Sequence, residues 1–407
     1  MANQQYSPNQ QFNGNQQGMN QQYISNQTAL DPNATQQQYY NQVPGQQYSQ
    51  PMQNQYYPPT LNNYSQGYNA PPPTYVTPQF AQSAHLISAQ ELSDAVSIIH
   101  KATKSFAIGS LGIDQTALLN LLAPKTPLQC QQIAQAYKTS YGVDLSTHLH
   151  KHTSGNFGAL ISALPKQLSH FDAECVMKAC KGMGTDEKAL IECLVGRTNA
   201  EIQSIKLAFH ELFEKDMETR VAEELSGHLK KLFIGILQGT RDETDQIINV
   251  NADVEQLYKA GEGKWGSDSN LSFFFIIAST FIMILNTRSY AHLRQVFAAY
   301  ALKHSSTMEK VVKSEFGGDL EKTMLAIVRC VENRPKFLAG LFEKSMVGLG
   351  TRDEMLIRLT VRCREPNLMG MVKREYQSIY GKSLVSRIES DTSGDYKKLL
   401  VAIVGPN

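Results

Sequence analysis

The chain contains one stretch, KGMGTDEKALIECLVGRTNAEI at residues 181–202, that returns in altered form nearer its end. Without a gap it aligns with VGLGTRDEMLIRLTVRCREPNL at residues 347–368. In both, two glycines flank one residue, and Thr, acidic residues and then apolar residues at spacings of three and four follow. Such spacing is typical of an amphipathic helix. The pair therefore predicts a repeated unit in which a glycine loop leads into a helix.

Two further copies complete the repeat pattern. One begins with GKWGSDS at residues 263–269, and a weaker one begins with GSLGIDQ at residues 109–115. The second glycines of the four loops are Gly112, Gly184, Gly266 and Gly350, which stand 72, 82 and 84 residues apart. A unit of about 70 residues is longer than the helical repeats of about 34–47 residues that build ordinary solenoids. With almost no strand-like alternation, the sequence predicts an all-α fold of four long repeats.

The first 85 residues differ from the rest in composition. They hold ten of the 18 Tyr and many Gln, Asn, Pro and Ser, but a single Asp, Glu, Lys or Arg residue, Asp31. Because Leu, Ile and Val are almost absent, this segment cannot bury enough apolar area to offset its chain entropy. We therefore predict a disordered tail at 1–85, which is an inert spacer, a regulatory arm or a self-association segment.

Charge, cysteines and motifs exclude several classes of function. The net charge is +1 and no basic cluster is present, so nucleic-acid binding is not expected. The six Cys form no CxxC pair and no metal-ligand spacing, which favours buried reduced thiols in a cytosolic protein. No basic region followed by an apolar run, as in a signal peptide, occurs at the N-terminus. Nor does the chain contain a nucleophile elbow, an HExxH pair or a Walker loop, so an enzyme is not predicted.

The paired glycines indicate a metal site. A capped helix start explains Thr185, Asp186 and Glu187, with Thr185 as N-cap, but it does not explain the glycines. Glycines allow backbone angles that turn several carbonyl oxygens toward one point, and a hard cation such as Ca²⁺ takes six to eight oxygens including a carboxylate. The loop has no inward carboxylate of its own. An acid does follow three of the four second glycines, 40, 49 or 41 residues later, at the same place in the unit: Glu224, Glu315 and Asp391.

These loops, acids and repeats together resemble the annexin family. The resemblance covers the chain from about residue 86 to the end. It implies four repeats of five helices each in a curved disc, with calcium loops on the convex face that bridge to acidic phospholipid headgroups. The repeats would span 86–166, 167–238, 239–332 and 333–407. It also implies a cytoplasmic protein that lies peripherally on membranes when calcium rises, in membrane trafficking, organisation or repair.

The resemblance implies a ligand set for each of three repeats, made of loop carbonyl oxygens and one carboxylate. The implied ligands are Cys180, Gly182, Gly184 and Glu224 in repeat two; Gly261, Lys264, Gly266 and Glu315 in repeat three; and Met346, Gly348, Gly350 and Asp391 in repeat four. Repeat one departs from the pattern, because Ser110 replaces the first glycine and His152 stands where the acid belongs. Histidine is a poor ligand for a hard cation, so we expect no calcium at that position.

The pentapeptide GTRDE occurs twice, and the two copies are expected to differ in role. Gly350 has a glycine two residues before it and an acid 41 residues after it, so this copy is predicted to be a calcium loop. Gly239 has Leu237 before it and no acid at the matching distance. That copy is predicted to be a turn and helix start, with Thr240 and Glu243 as a capping box.

Repeat three carries two further features. Trp265, the one Trp of the chain, lies in its glycine loop, where it would contact the membrane or remain a half-buried loop aromatic. About nine extra residues near 270–278 overlap an uncharged run, residues 271–285, which is too short for a bilayer span of about 20 residues. The extra residues are either a real extension or bulge of a helix or an unremoved intron in the coding sequence. We favour the intron, which sequencing of the transcript would test.

The sequence thus predicts calcium-dependent binding to anionic phospholipids of the phosphatidylserine type. The alternative is a calcium-independent helical scaffold for protein partners. The tail also resembles the long Tyr- and Pro-rich tails of some annexins, which implies a calcium-sensor or other protein partner.

Overall fold

The computed structural model describes residues 86–104, 113–182, 184–261, 271–348 and 350–406, with backbone alone at 271–274. Across these residues the structure consists of helices, turns and loops, with no strand, which confirms the predicted all-α fold. The tail at 1–85 and the glycine loops of repeats one and three lie outside the described residues.

Nineteen helices follow one another in the described residues, in four groups. Repeat one contains α1 (Ala89–Lys104), α2 (Gln115–Leu122), α3 (Pro127–Tyr141), α4 (Leu145–His152) and α5 (Gly155–Ala163). Repeat two contains α6 (Leu168–Ala179), α7 (Glu187–Leu194), α8 (Asn199–Phe213), α9 (Met217–Glu224) and α10 (Gly227–Gln238). Repeat three contains α11 (Val250–Ala260), α12 (Leu271–Thr287), α13 (Tyr290–His304), α14 (Met308–Glu315) and the first part of α15 (Gly318–Met346). Repeat four takes the second part of α15, then α16 (Asp353–Cys363), α17 (Pro366–Tyr380), α18 (Leu384–Asp391) and α19 (Gly394–Val404).

The long helix α15 is two helices joined at a kink. Asn333 has extended backbone angles (φ −157°, ψ 99°), and Pro335 follows two residues later. The Asn333 side-chain oxygen accepts a hydrogen bond from the Lys336 backbone N–H at 2.9 Å, as an N-cap does. Proline suits the first turn of a helix because it has no N–H to satisfy there. Divided at Asn333, α15 gives every repeat five helices, as the resemblance implied.

Buried side chains form two cores, and each core combines two repeats. One is built by repeats two and three, around Phe209, Phe233 and Phe281. The other is built by repeats one and four, around Tyr137 and Tyr376. All four repeats have the same apolar periodicity, so the sequence alone gives no indication of this pairing.

Ion pairs connect the two cores. Arg358 of repeat four binds Glu192 of repeat two at 2.6 Å, and Arg362 lies 3.4 Å from Asp172 of repeat two. Five of the six cysteines are buried, Cys175 is partly buried, and all six are free thiols. This agrees with the predicted buried thiols.

An arginine after the second helix anchors that helix to the first helix of its own repeat. In repeat two, Arg197 hydrogen-bonds to Asp172 of α6. In repeat three, Arg288 donates to both carboxylate oxygens of Asp253 in α11, at 2.7 and 3.0 Å. His292 also binds Asp253, at 2.9 Å. The same arginine–aspartate pair therefore occurs in repeats two and three, and the arginine has a structural role.

Two sequence predictions about helix starts are wrong. The N-cap of α7 is Asp186, whose side chain accepts from the Ala189 N–H, and not Thr185. No helix begins at Thr240: Gly239 ends α10 in the left-handed conformation (φ +59°), and the next helix starts at Val250. Glu243 instead accepts a hydrogen bond from the Asn199 backbone N–H at 2.7 Å, so the segment is tied to a neighbouring helix start. The predicted turn at Gly239 is correct, whereas the capping box is not.

The extra residues of repeat three extend a helix rather than forming a bulge. Helix α12 has 17 residues, whereas its counterparts α2 and α7 have eight each and α16 has 11. Ile277 and Ala278 are buried in the core, and Phe275 and Ile276 are about half exposed. Among the helices of the described ranges, none combines the length and apolar character of a bilayer span. The intron hypothesis stays a prediction for transcript sequencing.

Candidate metal centres

The glycine loop of repeat two follows directly on helix α6. Gly182 and Gly184 have φ angles of +121° and +93°, which side-chain-bearing residues rarely adopt. A Cβ atom at either position would meet no neighbour within 4 Å, so these positions need glycine for its backbone freedom and not for space. The Asp186 N–H donates to the Ala179 carbonyl at 2.9 Å and closes the loop.

The acid predicted for this loop lies across it. Glu224 is the last residue of α9, and the hydroxyl of Thr185 lies 3.2 Å from its backbone carbonyl oxygen and 3.4 Å from its carboxylate Oε2. The fold therefore brings together residues that are 39 positions apart in the sequence. Thr185 links the loop to the acid, a role that its prediction as a helix cap did not include.

The side chain of Arg220 places a positive charge between the loop and the Glu224 carboxylate. Arg220, one helical turn before Glu224, donates from Nη2 to the Cys180 carbonyl, and its Nη1 lies 2.5 Å from Glu224 Oε1. A backbone carbonyl and a carboxylate thus face one cation from two separate chain segments. Such oxygen donors are the type that Ca²⁺ takes, so the residues of repeat two fit the implied ion.

The Cys180 thiol is not needed as a ligand. Burial raises the pKa of Cys180 to about 11, so the thiol keeps its proton at neutral pH. Only the thiolate binds metals well. The part of Cys180 that faces Arg220 is its carbonyl oxygen.

Repeat four has the same arrangement. Gly348 and Gly350 have φ angles of +110° and +80°. The Thr351 hydroxyl lies 3.0 Å from the backbone carbonyl oxygen of Asp391 and 2.7 Å from its Oδ2. The second copy of GTRDE is thus joined to a distant acid, whereas the first copy is a helix end.

The arginine recurs as well. Arg387 donates from Nη2 to the Met346 carbonyl, and its Nη1 lies 3.3 Å from Asp391 Oδ1. Its Nε also lies 3.4 Å from Glu343 Oε2. Recurrence in two repeats shows that the arrangement belongs to the repeat rather than to one local packing accident.

Repeat three is described only in part. Gly261 ends α11 and Glu315 ends α14, and a Cβ atom built on Gly261 would lie 3.5 Å from Glu315 Cγ. The nine extra residues therefore leave the acid beside the helix end that precedes the loop. Lys264, Trp265 and Gly266 lie outside the described residues.

Repeat one has a histidine ring where the others have a carboxylate. His152 ends α4, and its ring lies 4.4 Å, centroid to centroid, from that of His148. His148 in turn is 2.9 Å from the Thr103 hydroxyl. The loop with Ser110 and Gly112 lies outside the described residues.

Sequence reasoning predicted the loops and the acids but gave no site role to four residues that the structure places against them: Thr185, Arg220, Thr351 and Arg387. The signal was available in the alignment. A Thr directly follows the second glycine in both repeats, and an Arg precedes the acid by four residues in both.

These features define an all-helical protein of four repeats in which the described glycine loops, those of repeats two and four, face distant carboxylates. A sequence model of the annexin family matches residues 94–164, 171–236, 252–327 and 337–403. The chain is 41% identical over 308 residues to annexin A13 of Mus musculus, which covers 75% of this chain and 92% of that protein. The chain belongs to the annexin family.

Solved structures agree with this assignment. Annexin III superposes with a TM-score of 0.71 at 33% identity, covering 78% of this chain and 94% of that one. A calcium-bound annexin (Sm)1 has a TM-score of 0.66 at 27% identity, covering 79% of this chain and 92% of that one. Family membership and a calcium-bound neighbour support Ca²⁺ binding and calcium-dependent phospholipid binding in general terms.

Proposed function

We propose that this protein binds anionic phospholipid membranes in a calcium-dependent manner, through the loops of repeats two, three and four. The carboxylates would be those of Glu224, Glu315 and Asp391. The observation that carries the proposal is the repeated convergence of a loop carbonyl, a loop threonine and a distant carboxylate in repeats two and four. Such convergence of oxygens serves cation binding rather than catalysis.

The chain's own residues hold the oxygens in place before any ion arrives. Positive φ angles at the loop glycines set the direction of the carbonyls, and Thr185 and Thr351 hold the acids against the loops. A bound Ca²⁺ supplies positive charge and open coordination positions that a headgroup phosphate or carboxylate oxygen can complete. Protein and lipid then share one ion, so each raises the affinity of the other. Several sites on one chain multiply modest affinities.

The finer roles extend this proposal. Trp265 would enter the headgroup region from the loop of repeat three. The protein would be cytoplasmic and move to membranes when calcium rises, in trafficking, organisation or repair. The tail at 1–85 would recruit a calcium-sensor or other protein partner, which a pull-down with the full chain and with a chain beginning at residue 86 would test.

Vesicle pelleting tests the proposal. Glu224→Gln, Glu315→Gln and Asp391→Asn, singly and combined, are compared with wild type on phosphatidylserine vesicles over a calcium series and in EGTA. Matched controls are Glu389→Gln and Asp245→Asn, which remove exposed carboxylates outside the assigned ligand sets. We expect each site variant to require more calcium and the triple variant to lose pelleting, with the controls near wild type.

Two outcomes would contradict the proposal. If the triple variant pelleted at the wild-type calcium requirement, the assignment of these three carboxylates as calcium ligands would be wrong. Equal pelleting of wild type in calcium and in EGTA would favour the calcium-independent scaffold instead.

A further inference from the structure

In repeats two and four, the helix that ends in the predicted calcium-binding acid also carries an arginine. These helices are α9 and α18. Each arginine binds two of the oxygens that are assigned to the ion. Arg220 contacts the Cys180 carbonyl and the Glu224 carboxylate, and Arg387 contacts the Met346 carbonyl and the Asp391 carboxylate. These are two of the four ligands implied for each site. The guanidinium groups thus take the position of a cation in both repeats.

Arginine and calcium cannot use these oxygens in the same way at once. A guanidinium donates hydrogen bonds to the lone pairs that a metal needs, and its charge repels a divalent ion a few ångströms away. The side chains of Arg220 and Arg387 are also mostly shielded from solvent, with 20% and 16% of their surface exposed. Water therefore weakens their charge-assisted hydrogen bonds less than it would at an open surface.

Repeat three offers an internal comparison. The residue four positions before Glu315 is Val311, which is fully buried. A Cβ atom on Gly261 would lie 3.6 Å from Val311 Cγ1, so the residue at the position of Arg220 and Arg387 is here an apolar side chain beside the end of α11. A repeat can therefore fold without this arginine. The acid of repeat three, Glu315, still lies beside the end of α11, the first helix of that repeat.

We propose that Arg220 and Arg387 are internal counter-cations, which a calcium ion must displace from the ligand oxygens and which thereby set the calcium threshold of repeats two and four. This inference rests on the proposed function. It adds that the calcium-free form of each site is stabilised by its own arginine. When calcium binds, the guanidinium moves away from the carbonyl and the carboxylate.

Calorimetric calcium titration of the full chain without lipid tests this inference, with Arg220→Gln, Arg387→Gln and the double variant. We expect each substitution to tighten calcium binding at its own site about tenfold, because a charge-assisted hydrogen bond contributes roughly that factor. In EGTA the same variants should unfold at lower temperature, and calcium should raise their midpoint more than that of wild type. Arg329→Gln is the control: it also pairs with a carboxylate, Glu309, but at the opposite end of α14 from Glu315.

A second measurement uses the wild-type protein and does not depend on how the variants fold. The guanidinium NMR signals of Arg220 and Arg387, assigned by their loss in the two variants, should shift on calcium addition, while that of Arg329 should not. Unchanged or weaker calcium binding in both variants, or guanidinium signals that do not respond to saturating calcium, would overturn the inference. Failure of wild type to bind calcium in calorimetry and in vesicle pelleting would instead contradict the proposed function.

Discussion

Thr351 and Asp391 are 40 residues apart in the sequence, yet the threonine hydroxyl lies 2.7 Å from the aspartate Oδ2 and 3.0 Å from its backbone carbonyl oxygen. Thr185 and Glu224 repeat this relationship in repeat two. The threonine therefore holds the glycine loop close to an acid that lies at the end of a different helix.

Thr351→Val should weaken calcium binding in repeat four. The substitution removes the hydroxyl that holds Asp391 but keeps a side chain of similar size. A net hydrogen bond contributes about 1 kcal/mol, so the calcium needed for half-maximal vesicle pelleting should rise about fivefold when the other sites are disabled by Glu224→Gln and Glu315→Gln. Thr351→Ser in the same background keeps the hydroxyl and should stay near the parent. Equal midpoints for the Val and Ser variants would show that the hydroxyl does not orient the acid.

The two GTRDE copies should respond differently to the same substitution. Gly239 and Gly350 both have positive φ angles, +59° and +80°, so Ala at either position should cost about 1–2 kcal/mol of stability. At Gly239 a new Cβ would also lie 3.0 Å from Gln203 Nε2. Only Gly350→Ala should raise the calcium midpoint of vesicle pelleting. Urea unfolding in EGTA measures the stability, and a raised midpoint in Gly239→Ala would contradict the assignment of that copy as a structural turn.

The repeat frame and the acids could be predicted from the sequence because each depends on spacing that stays constant between copies. Thr185 was misassigned because Thr and Asp both cap helices well, and the local sequence does not reveal an acceptor 39 residues away. Arg220 was overlooked because an arginine one turn from a glutamate has the spacing of an ordinary helix salt bridge. That arginine also reaches the Cys180 carbonyl, 40 residues earlier in the chain, a contact that the local sequence does not reveal.

Asp253→Asn should destabilise the protein and remove one source of its acid sensitivity. Burial raises the pKa of Asp253, but hydrogen bonds from Arg288 and His292 outweigh this effect and hold the pKa below its ordinary value. A carboxylate with a lowered folded pKa stabilises the protein above the unfolded pKa of about 3.9, and this contribution is lost as pH falls through the folded value. Removal of one partner of a buried pair costs about 3 kcal/mol at neutral pH.

Thermal unfolding of wild type and Asp253→Asn from pH 7 to pH 3 provides the measurement. The gap between their midpoints should be widest near pH 7 and should narrow below about pH 4, where the Asp253 carboxylate of the unfolded chain takes up a proton before the folded one does. Asp245→Asn, at an exposed position, is the control and should follow wild type. A gap that stays constant over the whole range would show that the charge of Asp253 is not what stabilises the fold.

The extension of helix α12 should add apolar contact with the membrane. Phe275 and Ile276 are 50% and 57% exposed, and Phe275 packs against His228 and Lys231 of α10, the helix that begins three residues after Glu224. The apolar side chains therefore lie near the calcium site that we propose for repeat two. Burial in lipid of such surface contributes about 25 cal/mol per Å².

Phe275→Ser with Ile276→Ser should lower vesicle affinity several-fold at a fixed calcium concentration and leave calcium binding without lipid unchanged. Because both side chains are half exposed, thermal stability should change little. Leu302→Ser removes another exposed apolar side chain, 86% exposed on α13, and should leave vesicle affinity unchanged. An equal loss of affinity in this control, or no loss in the double variant, would mean that the extension of α12 does not contact lipid.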